Sequence, residues 1–229
     1  MPTVTLGLVR LHLEKVQPPR SLFVPFELGR PLGEPNDPAF QQRVLRQALA
    51  LLERTDGPVI LEDFAEAAAG ARDHPEWHPP AIPPPGDSPG DAAGWSRALG
   101  REMELLRPVW EAARLRSGRT TVGVSQQPPE NWPDFAAAFL TGALPRTAGH
   151  ATPALSLRFL VDDVKAFYGE AGQAGPVAPS SRQVDRWFWR HTIAGRFLIA
   201  LRAACIGSPN TALHTVASRF FVPRPYLPE

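Results

Sequence analysis

Ser21-Leu-Phe-Val-Pro-Phe-Glu-Leu-Gly-Arg-Pro-Leu-Gly-Glu-Pro-Asn-Asp-Pro-Ala-Phe40, running on into a helix-patterned stretch that reaches Glu53, decides how this chain is read. Residues 21–26 are short, apolar and bounded by prolines, as a buried strand requires. Residues 27–36 carry Gly29, Pro31, Gly33 and Pro35, which exclude regular structure and leave a shaped loop. Asp37 then stands as an N-cap with Pro38 at the first helical position, and Phe40, Val44, Ala48 and Leu51 recur at helical spacing. Gly57-Pro58 ends that helix, and residues 59–61 return as a strand, giving a strand–helix–strand unit.

Working outward, residues 3–13 alternate loosely through Val4, Leu6, Leu8 and Leu11 and are read as a strand, with a helix starting within 10–15 as the alternative. Residues 73–91 turn Pro-rich (Pro75, Pro79, Pro80, Pro83, Pro84, Pro85, Pro89), which implies a semi-rigid polyproline-type connection. Beyond it, residues 92–117 read as a helix with Trp95, Leu99, Met103, Leu106 and Trp110 on one side and Pro108 as a kink. Further helices fit 132–141 and 153–170. A last long helix is expected from Ser180-Ser181, where Ser180 and Gln183 have capping-box spacing; Val184, Trp187, Phe188, His191, Ala194, Leu198 and Leu201 share its face up to Gly207. A short helix at 211–217 and an extended tail at 221–229 complete the pattern. The fold class is therefore α/β: a small strand–helix–strand lobe (1–72), a Pro-rich connector (73–91) and a mainly α-helical part (92–229).

With 229 residues the chain can bury a substantial core. Its single cysteine, Cys205, excludes an internal disulfide and a thiolate metal cage, and fits a reducing cytoplasm. Lys and Arg (24) balance Asp and Glu (23), which argues against nucleic acid or an anionic membrane surface as a partner. The N-terminal stretch has no uninterrupted apolar h-region, and the apolar run near 197–206 is broken by Arg202, so a soluble, cytoplasmic chain is expected. Phosphate-binding Walker loops, GxGxxG and HExxH are all missing from the sequence.

Pro19-Arg20, the apolar strand ending in Pro25, Gly29, Gly33-Glu34-Pro35-Asn36 and Gln41 in the following helix together resemble the C-terminal strand–loop–helix of the component B (selenoprotein B) family of glycine, sarcosine, betaine and D-proline reductases. The resemblance covers about residues 18–60. It implies an oxidoreductase that reductively cleaves a bond next to a carboxylate or similar group with a selenocysteine or cysteine on a strand-to-helix turn. That turn lies upstream of the matching loop in the family, whereas the roughly twenty residues ahead of it here contain no cysteine. The expectation is a reductase complex subunit, a hetero-oligomer in which a second chain supplies the thiol or selenol. A non-catalytic assembly subunit and a stand-alone enzyme using Cys205 are the alternatives.

Within the loop, Glu27, Arg30, Glu34 and Asn36 lie at a strand's carboxyl end, where open α/β units bind ligands. Arg30 suits a substrate carboxylate, Glu34 suits an acid or base, and Glu27 and Asn36 would shape the pocket; the competing reading has Glu34 and Asn36 bonding the loop's own backbone. Cys205, between Ala204 and Ile206, reads better as a buried structural thiol than as a nucleophile. Asp73, His74, Glu76 and His78 have the chemistry of metal ligands but alternate in a Pro-rich stretch, so no metal is assigned, and the cofactor remains unspecified. Arg182, Arg186 and Arg190 form a basic strip read as a solvated face. His191 is read as a hydrogen-bonded core residue.

Overall fold

A computed structural model describes residues 2–68, 72–147 and 149–227. The chain is α/β, with a small parallel sheet near the N-terminus followed by helices. It divides into two compact units: residues 1–74 with 180–182, and residues 75–179 with 183–229.

The first unit holds strands β1 (Thr5–Gly7), β2 (Arg20–Phe23) and β3 (Ile60–Asp63), all parallel and in the order β1-β2-β3. Thr5 pairs with Ser21, and Arg20 with Ile60. The stretch read as one strand at 3–13 is divided. β1 stops at Gly7, Val9 stays extended, and helix α1 (Arg10–Val16) begins, burying Leu13. Helix α2 (Pro38–Ala50), with a last tight turn at Leu51–Glu53, starts where the sequence says it should, because Asp37 Oδ1 accepts the Phe40 N–H at 3.0 Å. Its stripe of Phe40, Val44, Ala48 and Leu51 is buried with Leu22, Val24, Ile60 and Phe64. Phe26, Phe40 and Phe64 meet pairwise at 5.4–5.7 Å between ring centroids, in tilted or edge-to-face geometry.

The second unit is built on helix α3 (Ala92–Ser117), capped by Asp91 and closed by Gly118 at φ 68°. Pro108 lies inside it, and the helix continues through. A central proline costs about 3 kcal/mol, whereas burying Leu106 and Trp110 on either side contributes about 1.5–3 kcal/mol each, so packing outweighs the break. α3 packs on α4 (Trp132–Ala138), α5 (Pro153–Gly172) and α7 (Ile193–Ile206). Trp95 meets Phe197 at 5.7 Å and Trp110 meets Phe167 at 5.2 Å. Helix α8 (Thr211–Val216), capped by Asn210, continues as a wide turn at Ala217–Phe221, and the tail is described as far as Leu227, with a tight turn at Arg224–Tyr226.

The long helix expected from 180 to 206 is two helices, α6 (Ser181–His191) and α7. Thr192 breaks it: its Oγ1 donates to the Phe188 carbonyl at 2.6 Å and accepts the Gly195 N–H at 3.0 Å, so one hydroxyl ends α6 and caps α7. A Cβ at Gly195 would lie 2.2 Å from the Phe188 carbonyl oxygen, so only glycine lets the new helix start this close to the old one.

The Pro-rich segment is not a free connector. Residues from 75 onward group with the helical unit, where Trp77 and Ile82 pack against its core.

Candidate functional site

The 27–36 loop leaves the carboxyl end of β2, and three of its features are conformational. Gly33 has φ +88°, and a Cβ there would meet the Phe40 ring at 2.5 Å. Asn36 sits at φ +62°, a left-handed position that asparagine tolerates better than other side chains. Gln41 Nε2 donates to the Glu34 carbonyl at 2.8 Å, tying the loop to the first turn of α2. These explain why glycine, asparagine and glutamine stand where they do without invoking a ligand.

The charged side chains are a separate matter. Arg30 Nη1 donates to both carboxylate oxygens of Glu34, at 2.9 and 2.7 Å, and lies 3.9 Å from Glu27 Oε2. The Ser181 N–H, which belongs to the same unit, reaches Glu27 Oε1 at 3.4 Å. Arg30 is therefore a guanidinium held between two carboxylates on a surface loop, and Glu34 is oriented by it. The fold brings Glu27, Arg30 and Glu34 together; Asn36 serves the turn. Solvent reaches the cluster, with the Arg30 side chain 43% exposed, so a ligand carboxylate can compete for the guanidinium at modest cost.

Cys205 belongs to the core of the helical unit at 1% exposure, and burial pushes its thiol up to about 11. At pH 8 that lowers the thiolate fraction about 100-fold relative to an ordinary cysteine. An alkylating reagent such as iodoacetamide is expected to label the folded protein at least about 100-fold more slowly than the urea-unfolded chain. Equal rates in the two states, read by intact-mass spectrometry, would place Cys205 at the surface.

Near the Pro-rich segment, no group of three or more His, Cys, Asp or Glu gathers to hold a metal among the described residues, and Ser180 Oγ instead donates to Asp73 at 2.7 Å. No helix among the described residues is long and apolar enough to cross a membrane.

Three buried or bonded carboxylates escaped the sequence reading. Glu102, 5% exposed, accepts from the Tyr168 hydroxyl at 2.7 Å and from the Ile193 and Ala194 N–H groups at 2.7 and 3.0 Å, closing the start of α7. Burial raises its pKa, and those three hydrogen bonds pull it back only in part. Asp163, fully buried, collects the N–H groups of Gly123, Val124 and Ser125. Glu170 accepts from Trp110 Nε1, both hydroxyls of Thr120 and Thr121, and the Thr121 N–H. A signal for the first was present: Glu102 lies one turn beyond Leu99 and one before Leu106, on the apolar stripe itself. All three have the character of structural acceptors, because every donor they take is a group of the fold.

No protein-family model, curated protein or solved structure matches the chain.

Proposed function

We propose that this chain is a subunit, or a relative, of a component B-type reductase that acts on a small molecule in a cytoplasmic hetero-oligomer, with a second chain supplying the redox thiol or selenol. The observation that carries the reading is the charged cluster of Glu27, Arg30 and Glu34 at the carboxyl end of a strand in a parallel sheet, the position where such sheets take ligands. In this reading Arg30 exchanges its hold on Glu34 for the substrate's carboxylate, and the released Glu34 acts as acid or base beside it. The burial of Cys205 supports a thiol from elsewhere, since the chain's one cysteine is a poor nucleophile.

The test is reconstitution with a thiol- or selenol-bearing component B-like protein from the same source. A stable complex that reductively cleaves a small carboxylate-bearing substrate, and loses that activity when the partner's thiol is alkylated, is the expected result. Absence of both complex and activity would remove the reading.

An assembly role without catalysis is the second reading, favoured by Leu28, which is 78% exposed beside the cluster. It predicts that Arg30→Ala leaves turnover of the complex unchanged while Leu28→Asp dissociates it.

A further inference from the structure

The last turn of α3 and the end of α5 border a cavity of about 570 Å³ within the helical unit. Three guanidiniums line it, those of Arg114, Arg116 and Arg119, and its one lining carboxylate is Glu170. Two of the guanidiniums are held in place. Arg114 lies over the Trp110 ring, 5.4 Å from its centroid, and Arg116 Nη2 donates to the Ala174 carbonyl at 2.5 Å. Arg119 is exposed, and among the described residues its side chain has no partner. None of the three makes an ion pair with a described residue.

Glu170 does not neutralise them. Its Oε1 accepts the Thr121 N–H and hydroxyl at 2.7 and 2.9 Å, and its Oε2 accepts Trp110 Nε1 and the Thr120 hydroxyl at 2.7 and 2.8 Å, so its lone pairs are taken. Basic side chains near a helix end commonly offset the macrodipole, at about half a negative charge per C-terminus. The ends of α3 and α5 and the Glu170 carboxylate therefore come to about two negative charges against three positive ones, and the cavity keeps an excess of positive charge. α3 is also closed without the arginine side chains, because the Gly118 N–H returns to the Arg114 carbonyl at 2.9 Å.

The lining also narrows what the anion is attached to. An arginine fork matches phosphate oxygens two at a time. The space is within the range of ligand sites, about 300–1,000 Å³, and exceeds what a bare phosphate fills. No aromatic ring lines it among the described residues, so a nucleobase has nothing to stack on. Gln173 offers an amide, and the Thr121 hydroxyl, its proton given to Glu170, keeps acceptor lone pairs for a ligand hydroxyl.

We propose that this cavity binds a small phosphorylated polyol, of the sugar phosphate class. Arg114, Arg116 and Arg119 hold the phosphate, and Gln173 and Thr121 hold the hydroxyls. The site stands independently of the reductase reading, whose chemistry lies at the 27–36 loop.

Trp110 reports on the site directly, since it carries Arg114 on its face and donates to Glu170. The full chain, with its tryptophan indoles labelled with nitrogen-15, is titrated at low ionic strength with glucose 6-phosphate, with glucose and with inorganic phosphate. Expected is a saturable shift of the indole signal that vanishes in Trp110→Phe. The dissociation constant for glucose 6-phosphate should be on the order of 0.1–1 mM, with at least about tenfold weaker binding of glucose and of inorganic phosphate. Arg119→Glu should weaken glucose 6-phosphate binding by about tenfold or more while the circular dichroism spectrum stays that of the wild type; if that variant does not fold, Arg119→Ala gives the same reading. Arg101→Glu makes the same change of charge at an exposed position of α3 outside the cavity, and should leave the affinity within about twofold. An unmoved Trp110 signal, glucose or inorganic phosphate binding as tightly as glucose 6-phosphate, an unchanged affinity in the folded Arg119 variant, or an equal loss in Arg101→Glu would each overturn the proposal.

Discussion

Replacing Glu102 by alanine is expected to lower the stability of the helical unit by about 3–5 kcal/mol, the largest effect of any single side chain considered above. The carboxylate is 5% exposed and accepts three hydrogen bonds, two of them from the first N–H groups of α7 and one from Tyr168, itself fully buried. Alanine leaves all three donors without an acceptor in a space water does not reach, and each orphaned donor costs about 1–3 kcal/mol. Urea unfolding followed by tryptophan fluorescence isolates the effect, because Trp77, Trp95, Trp110, Trp132, Trp187 and Trp189 all belong to this unit. Glu102→Gln should cost less, since the amide keeps one oxygen as acceptor.

The pH dependence has a defined sign. The folded pKa of Glu102 is raised above its unfolded value, so the contribution linked to its titration is fully present below the unfolded pKa and is lost as pH rises through the folded one. The margin of the wild type over Glu102→Gln is therefore expected to be wider at pH 4 than at pH 8. A margin that widens with pH would show that the three hydrogen bonds outweigh burial.

Gly195→Ala is expected to be the second most damaging substitution, at about 3 kcal/mol. The added methyl would lie 2.2 Å from the Phe188 carbonyl oxygen and 2.8 Å from the Trp189 Cα, and both are backbone atoms that no rotamer change can move aside. Relief requires α7 to withdraw from the end of α6, which breaks the Thr192 hydroxyl bridge and pulls Ile193 and Ala194 from Glu102. Gly169→Ala, in the interior of α5 with nothing within 4 Å of the new methyl, is the matched control and should stabilise by about 0.5–1 kcal/mol through helix propensity alone. Similar losses in the two variants would mean that the close approach at Gly195 is not what sets the junction.

The contrast between α3 and the α6–α7 junction shows what could be read from the sequence. α3 runs from Ala92 to Ser117 as expected, because its start, stop and apolar stripe are all local: Asp91 before it, Gly118 after it, and five large side chains at helical spacing between. The junction was invisible because the apolar pattern runs straight through Thr192. What divides it is a hydroxyl bridge and a carboxylate contributed by Glu102 on α3, about ninety residues earlier in the chain. The Pro-rich segment shows the same limit: its composition describes a stiff stretch of chain, and that Trp77 and Ile82 pack on the helical core follows only from the fold.

At the 27–36 loop the sequence revealed the turn and the charges but not their division of labour. Gly33 and Asn36 are required by backbone conformation and by the Phe40 ring. Arg30 and Glu34 are held by each other, a pairing at four-residue spacing that many loops could not close. The apolar neighbours of Cys205 point to burial, and the side chain is in the core at 1% exposure.

The central claim is that the Arg30–Glu34 pair serves chemistry completed by a second chain's thiol or selenol. Its most direct test is turnover of the reconstituted complex with Arg30→Ala and Glu34→Gln, each confirmed as folded and assembled. The claim predicts at least about a hundredfold loss in kcat/KM for both. Arg30→Ala should act mainly through KM and Glu34→Gln mainly through kcat. Wild-type turnover by both assembled variants would contradict it and leave the loop as a structural turn.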